Sequence, residues 1–290
     1  MFVQTNSIRA VKDYFNSRLA DLFSESEIRS IAKQSIMQRL NLSASDYLMA
    51  DASLVSESDL LFFRSIVKRL QNEEPLQYLL GETSFCDLEL KIDKRALIPR
   101  PETEELVNLV LSQYSNDHSY TIMDLCTGSG CIALALKSVL SQSEIHAMDF
   151  SADALDLAKE NGIETDLQCV WHHFDATKKE GYLQFNPKSF DAWVSNPPYI
   201  PNAERVSMDF NVLGYEPSMA LFVDDNDPLL FYRKIAEAAL IYLKSGGMLF
   251  FEIHENFGKE TVDLLEGLNF SSVKLHHDLQ GKSRMVEATV

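Results

Sequence analysis

Residues 121–133 read Thr121-Ile-Met-Asp-Leu-Cys-Thr-Gly-Ser-Gly-Cys-Ile-Ala133: an apolar run, two glycines, and the start of a second apolar run. Thr121–Leu125 has the length and composition of a strand, whereas Ile132–Leu140 carries its apolar residues at helical spacing. Between them Gly128 and Gly130 let the chain turn tightly and come close to a ligand. The helix start behind them favours negative charge. Strand, glycine turn and helix together form the opening unit of a doubly wound α/β sheet.

Downstream the alternation continues. Strand-like runs occur at Glu144–Asp149, Gln168–Phe174, Phe190–Ser195 and Met248–His254, with helical patterns at Ala152–Asn161 and Leu229–Leu243. A parallel sheet with helices on both faces follows. Ser272–His276 and Arg284–Val290, joined by a short glycine-containing turn, predict a terminal antiparallel pair. Upstream the period is helical instead, at Ile8–Phe23, Glu27–Leu40 and Ser58–Leu70. Ser24 and Ser26 before Glu27, and Ser56 before Ser58-Asp59, have the chemistry of helix starts. Phe85–Ile92 alternates as a hairpin would, and Ile98-Pro99-Arg100-Pro101 breaks any regular element. Pro101 with Glu102, Glu104 and Glu105 behind it is a favourable helix opening. The expected organisation is a helical domain over residues 1–80, a hairpin linker over 81–100 and the α/β domain over 101–290.

Composition is that of an ordinary soluble globular protein, and a net charge of −17 opposes general nucleic-acid binding. Cys86, Cys126, Cys131 and Cys169 form no C-x-x-C pair, and His172-His173 and His276-His277 are adjacent pairs without metal-ligand spacing. Met1–Tyr14 lacks a leader-like apolar stretch, and no run is long enough to span a membrane. A reduced, cytoplasmic, soluble, metal-free protein is expected.

Asp149 ends the second strand of the α/β region, where it can accept hydrogen bonds from both hydroxyls of a ribose. The glycine pattern with an acid about 20 residues on also fits a nicotinamide dinucleotide. Asp124, just before the glycines, discourages a pyrophosphate and suits a ligand bearing an amino group. The second motif is Asn196-Pro197-Pro198-Tyr199, directly after Phe190–Ser195. Its prolines fix φ and fix the direction of its carbonyls, its Asn offers an acceptor and two donors, and its aromatic ring adds a flat face. Such a turn clamps a planar NH2 group; the plainer reading is a proline-rich turn with an Asx bond. Both motifs sit at carboxyl ends of strands, beside the crevice of a doubly wound sheet. The reaction that joins a nucleoside cofactor to a clamped NH2 group is methyl transfer from S-adenosylmethionine to nitrogen.

At this point the chain resembles the peptide chain release factor glutamine methyltransferases. The resemblance runs through Glu74-Pro-Leu-Gln-Tyr78 with Gly81, the linker Leu97-Ile-Pro-Arg-Pro-Glu-Thr-Glu104, the glycine loop, Asn196-Pro-Pro-Tyr-Ile200, and Glu216-Pro217 with Ala220-Leu221. It implies a Rossmann-like, seven-stranded class I methyltransferase sheet with a small N-terminal helical domain that recognises a protein substrate. It further implies S-adenosyl-L-methionine as cofactor and class I release factors as partners, with no direct nucleic-acid or membrane binding and a monomeric chain. Carried over by position, Cys126, Thr127, Gly128, Ser129 and Gly130 border the methionine part of the cofactor, Asp149 holds the ribose, and Asp175-Ala176 lies by the adenine. Asn196 and Pro197 take the target amide, through the Asn196 side-chain oxygen and the Pro197 carbonyl. Pro198 stiffens the turn and Tyr199 packs its ring on the amide. Cys126 replaces a glycine at the start of the loop, which a negative φ would accommodate. Ala176 stands where many relatives carry an aromatic residue.

Arg100 admits two readings, contact with substrate or cofactor and an ion pair with a nearby glutamate. Glu216 is placed to brace the clamp, and Asp227-Pro228 reads as a helix cap and first-turn proline. The rivals are an adenine-N6 methyltransferase on DNA or RNA, which shares the Asn-Pro-Pro-Tyr element, a nicotinamide dehydrogenase, and a silent adaptor.

Overall fold

The computed structural model describes residues 5–290, so Met1–Tyr14 falls partly outside the described residues. The chain separates into two compact units. One runs to Gly81 and takes in Asp209–Tyr215; the other comprises Glu82–Met208 and Glu216–Val290.

The first unit is helical. Ile8–Leu19, Glu25–Leu40 and Glu57–Leu70 are its long helices, with short ones at Ala44–Met49 and Leu76–Leu80 that the sequence pattern does not single out. Ser24 and Ser56 cap as expected, each accepting from the backbone N–H three residues on while Glu27 and Asp59 reach back to the cap. The first helix stops at Leu19 rather than Phe23. Phe15, Leu19, Ile36 and Phe63 meet at the centre of the unit, all fully buried.

The second unit begins with a hairpin, β1 (Glu82–Phe85) and β2 (Leu88–Lys91). A helix at Pro101–Leu111 follows, with Pro101 at its first position. The remaining strands are β3 (Thr121–Leu125), β4 (Glu144–Asp149), β5 (Val170–His173), β6 (Phe190–Ser195), β7 (Ile200–Pro201), β8 (Phe222–Val223), β9 (Leu243–Glu252), β10 (Ser272–His277) and β11 (Ser283–Thr289). Among the described residues the main sheet has seven strands in the order β10-β11-β9-β6-β3-β4-β5. β9, β6, β3, β4 and β5 run parallel, and β11 is antiparallel to both neighbours. This is the expected α/β class, with the terminal antiparallel pair in place.

Alternate residues of the parallel strands are apolar in both directions because helices cover both faces. Ile122, Ala192 and Val194 join one core with Val107 and Leu136; Met123, Leu125 and Trp193 join the other with Tyr232 and Ile235. The chain steps from β3 outward to β4 and β5, then returns to lay β6 and β9 on the opposite side. The order therefore reverses between β3 and β6, which is where open α/β sheets bind ligands. Ser195 Oγ donates to the Leu125 carbonyl at 2.7 Å and stitches the two strand ends together. No helix among the described residues is long and apolar enough to cross a membrane, and no cluster of three or more of their His, Cys, Asp and Glu residues is placed to hold a metal ion.

Candidate active site

A cleft of about 400 Å³ opens at the carboxyl ends of β3, β4 and β6, a size that suits a small ligand. One wall is the turn that leaves β3. Cys126 has φ +63°, Gly128 +56° and Gly130 +83°, so the backbone passes three times through the left-handed region before the helix Cys131–Val139 begins. The negative φ expected for Cys126 is not what the structure adopts. With Cys126 left-handed, the Thr127 N–H reaches the Met148 carbonyl at 2.9 Å. A Cys in that conformation carries the Cβ strain that a glycine would avoid. Gly128 leaves the cleft open, since a Cβ there would meet only Ala96, at 4.0 Å.

Asp149, at the end of β4, is anchored by the backbone. Its Oδ2 accepts from Gly128 N–H and its Oδ1 from Ser151 N–H, each at 2.8 Å. Burial pushes its carboxyl up against the pull of those N–H groups. It lines the cleft and keeps lone pairs for a ligand's hydroxyls. Asp124 does not line it. Its side chain is fully buried beneath the turn, with Oδ2 accepting from Thr127 Oγ1 at 2.5 Å and from Ala133 N–H at 3.2 Å. Burial pushes Asp124 up to about 7. The expectation that Asp124 faces an amino group of the ligand is therefore corrected: this carboxyl ties the turn to the helix behind it.

Asp175 and Ala176 form another part of the lining, Asp175 accepting from Thr177 N–H and Oγ1. Phe150, 60% exposed, lines the cleft as well and supplies an aromatic face that Ala176 cannot. The sequence reading passed over Phe150, although an aromatic directly after the ribose-type acid is a readable signal. Arg100 lines the cleft and pairs with Glu216, whose other oxygen accepts from Ile98 N–H at 3.1 Å. The partner is buried and 116 residues away in sequence, not one of the nearby glutamates, and Glu216 braces the linker rather than the Asn-Pro-Pro-Tyr turn. Asp227 pairs with Arg233 instead of capping; the helix there starts at Leu230 with Leu229 at its cap.

Of the clamp, Asn196 and Pro198 line the cleft, whereas Pro197 and Tyr199 do not. Gly130 is likewise behind the surface, packed against Ala158 and Trp171. Tyr199 sets its ring edge-on to His254 and donates its hydroxyl to Glu252 Oε1 at 3.1 Å. Glu252 Oε2 accepts from Thr103 Oγ1 at 2.7 Å, and Thr103 Oγ1 in turn accepts from Asn196 Nδ2 at 3.2 Å. Thr103 and Glu252 are both buried, and burial pushes the Glu252 carboxyl up. Neither residue emerged from the sequence reading. A lone acid inside the apolar run Met248–His254 is the signal that could have found Glu252.

Two domain families match the chain: the methyltransferase small domain over residues 103–211 and the PrmC N-terminal domain over residues 13–81. The release factor glutamine methyltransferase of Flavobacterium psychrophilum is 38% identical over 97% of this chain and 98% of its own length. That of Bacteroides thetaiotaomicron is 36% identical over 95% and 97%. A crystal structure of a methyltransferase from Pyrococcus furiosus superposes with a TM-score of 0.50 at 14% identity, covering 70% of this chain and 88% of that one, a likeness of fold.

Proposed function

The chain belongs to the release factor glutamine methyltransferases, and we propose that its β3–β6 cleft performs that family's methyl transfer with Asn196 holding the glutamine amide. The enzyme transfers a methyl group from S-adenosyl-L-methionine to the N5 side-chain amide nitrogen of a glutamine in a peptide chain release factor. The observation that carries the site assignment is a single cleft lined both by Asn196 and Pro198 and by the Gly128 turn and Asp149.

The donor set fits the cofactor. Asp149 would take the ribose, Phe150 and Ala176 with Asp175 would border the base, and the open face at Gly128 admits the amino-acid part beside Cys126, Thr127 and Ser129. When bound there, the cofactor supplies a methyl carbon activated by its sulfonium. The protein's task is to make an amide nitrogen attack, although its lone pair is delocalised into the carbonyl. With Nδ2 engaged by Thr103, Asn196 has its Oδ1 available to accept an amide N–H. By the family resemblance the second N–H would go to the Pro197 carbonyl, although Pro197 itself does not line the cleft. Both dipoles stabilise positive charge on the nitrogen and hold it in line. Tyr199, directed at Glu252, contributes by fixing this arrangement rather than by stacking on the amide.

The same reading gives the helical unit the task of receiving the release factor, of class I. It makes the enzyme a cytoplasmic monomer without direct nucleic-acid binding, in keeping with the net charge of −17 and four free thiols. Asn196→Ala should lower the single-turnover rate about 10²–10³-fold while cofactor binding persists. Mass spectrometry of a release factor incubated with labelled cofactor should show one methyl on one glutamine side chain. Near-normal turnover in the variant would reject the role given to Asn196. Methylation of an oligonucleotide offered in parallel would favour the adenine-N6 reading.

A further inference from the structure

The Asn196 side chain is useful only in one of its two flips. An amide nitrogen carries N–H groups, so the cleft must present Asn196 Oδ1; a turned-over amide would present Nδ2, which attracts a carboxylate instead. The flip is therefore also a choice between glutamine and glutamate. Nothing in the Asn-Pro-Pro-Tyr turn itself makes that choice.

We propose that Thr103 and Glu252 are positioning residues that lock Asn196 with its oxygen toward the cleft, and so make the enzyme selective for a carboxamide over a carboxylate. The inference rests on the functional reading above. The chain of bonds has a direction. Glu252, accepting from the hydroxyls of Thr103 and Tyr199, leaves neither hydroxyl proton free to turn elsewhere. Thr103 Oγ1, its proton committed to Glu252, has only lone pairs left for Asn196, and lone pairs accept Nδ2–H and repel Oδ1. Thr103 and Glu252 are 2% and 1% exposed, so water does not compete for the bond between them, and Thr103 meets Asn196 in the lining of the cleft. No other hydrogen bond to the Asn196 side chain is present among the described residues. The Thr103 contact alone sets the flip.

The test compares wild type with Thr103→Val, which keeps the shape and removes the hydroxyl, and Thr103→Ser, which restores it. Thr103→Val should lower single-turnover transfer to a release factor about tenfold, the worth of one hydrogen bond, with cofactor affinity by calorimetry within twofold of wild type. Thr103→Ser should recover most of the rate. The same release factor with glutamate at the target position should compete better against Thr103→Val than against wild type, a change that looser packing alone would not produce. In the cofactor-free enzyme, the Asn196 side-chain NH2 signal should be protected from solvent exchange in wild type and Thr103→Ser, and lose protection in Thr103→Val. An unprotected NH2 in wild type, or a Thr103→Val enzyme matching wild type in rate and in glutamate competition, would overturn the lock. A protected NH2 in an enzyme that methylates no release factor would sink the functional reading and leave the lock standing.

Discussion

Gly128 and Gly130 sit two residues apart in one turn with the same sign of φ, yet alanine should act on them differently. At Gly130 a Cβ would lie 3.1 Å from Ala158 Cβ and 3.2 Å from the Trp171 ring. With φ +83° it would also adopt the left-handed conformation at a cost of roughly 1–2 kcal/mol. Overpacking against a helix adds about 1–3 kcal/mol, and the stiffer unfolded chain returns about 0.4–1. Gly130→Ala should therefore lose about 1.5–4 kcal/mol. Gly128→Ala, with only Ala96 within 4.0 Å, carries the conformational term alone and should lose about 1 kcal/mol or less. Its methyl would instead project into the cleft and cost cofactor affinity. The assay is urea unfolding followed by tryptophan fluorescence. Trp171 and Trp193 both belong to the α/β unit, so the signal reports on that unit. Calorimetric titration with S-adenosylmethionine gives the second axis. If Gly128→Ala proves the less stable variant, or Gly130→Ala stays within 0.5 kcal/mol of wild type, the reasoning about the turn is wrong.

Asp149→Ala should weaken cofactor binding by roughly 1.5–3 kcal/mol, the scale of a charged hydrogen bond, and unchanged affinity by calorimetry would remove the ribose role. Arg100→Ala strips the guanidinium from a carboxylate whose side chain is 1% exposed, and should destabilise the unit by about 2–3 kcal/mol, discounted because Arg100 itself is partly solvated. Glu216→Gln should partly restore an Arg100→Ala protein; additive losses in urea would argue against coupling. The Asp124 carboxyl, raised to about 7 from 3.8, holds its proton more tightly folded than unfolded. Its contribution is then full below about pH 4 and is lost as pH rises to about 7, so Asp124→Asn should show a flatter stability profile across that window. Parallel profiles for the two proteins would contradict this.

The parallel strands were legible because each is an apolar run closed by polar or glycine residues, and Pro101 announced its helix by a missing N–H and three following acids. The place of Asp149 in the cleft was legible because it ends a strand beside the crevice. Cys126 was not: its left-handed φ accompanies a bond from the next residue, Thr127 N–H, to Met148 on a neighbouring strand, a contact that no local preference encodes. Asp124 was misread for the same reason. The residues before a glycine turn alternate in direction, and Asp124 points down into the helix Cys131–Val139 rather than up. Thr103 and Glu252 lie 149 residues apart; the sheet order that puts β9 beside β6 brings Glu252 near the turn, and Thr103 joins it to Asn196 from the helix Pro101–Leu111. Short helices such as Ala44–Met49 escaped because six residues hold too little of a 3.6-residue period to stand out.

One buried side chain joins two parts of the second unit that share no chemistry. Asn161, 1% exposed, receives the Lys91 N–H at 2.7 Å and returns donors to the Lys91 and Ser129 carbonyls at 3.0 and 2.9 Å. Both of its N–H groups and its oxygen are thereby engaged by backbone. The hairpin and the glycine loop consequently share a rivet, and neither can shift without tugging the other. A mutation at the far edge of that hairpin would thus be transmitted to the lip of the cleft through an amide that touches no ligand.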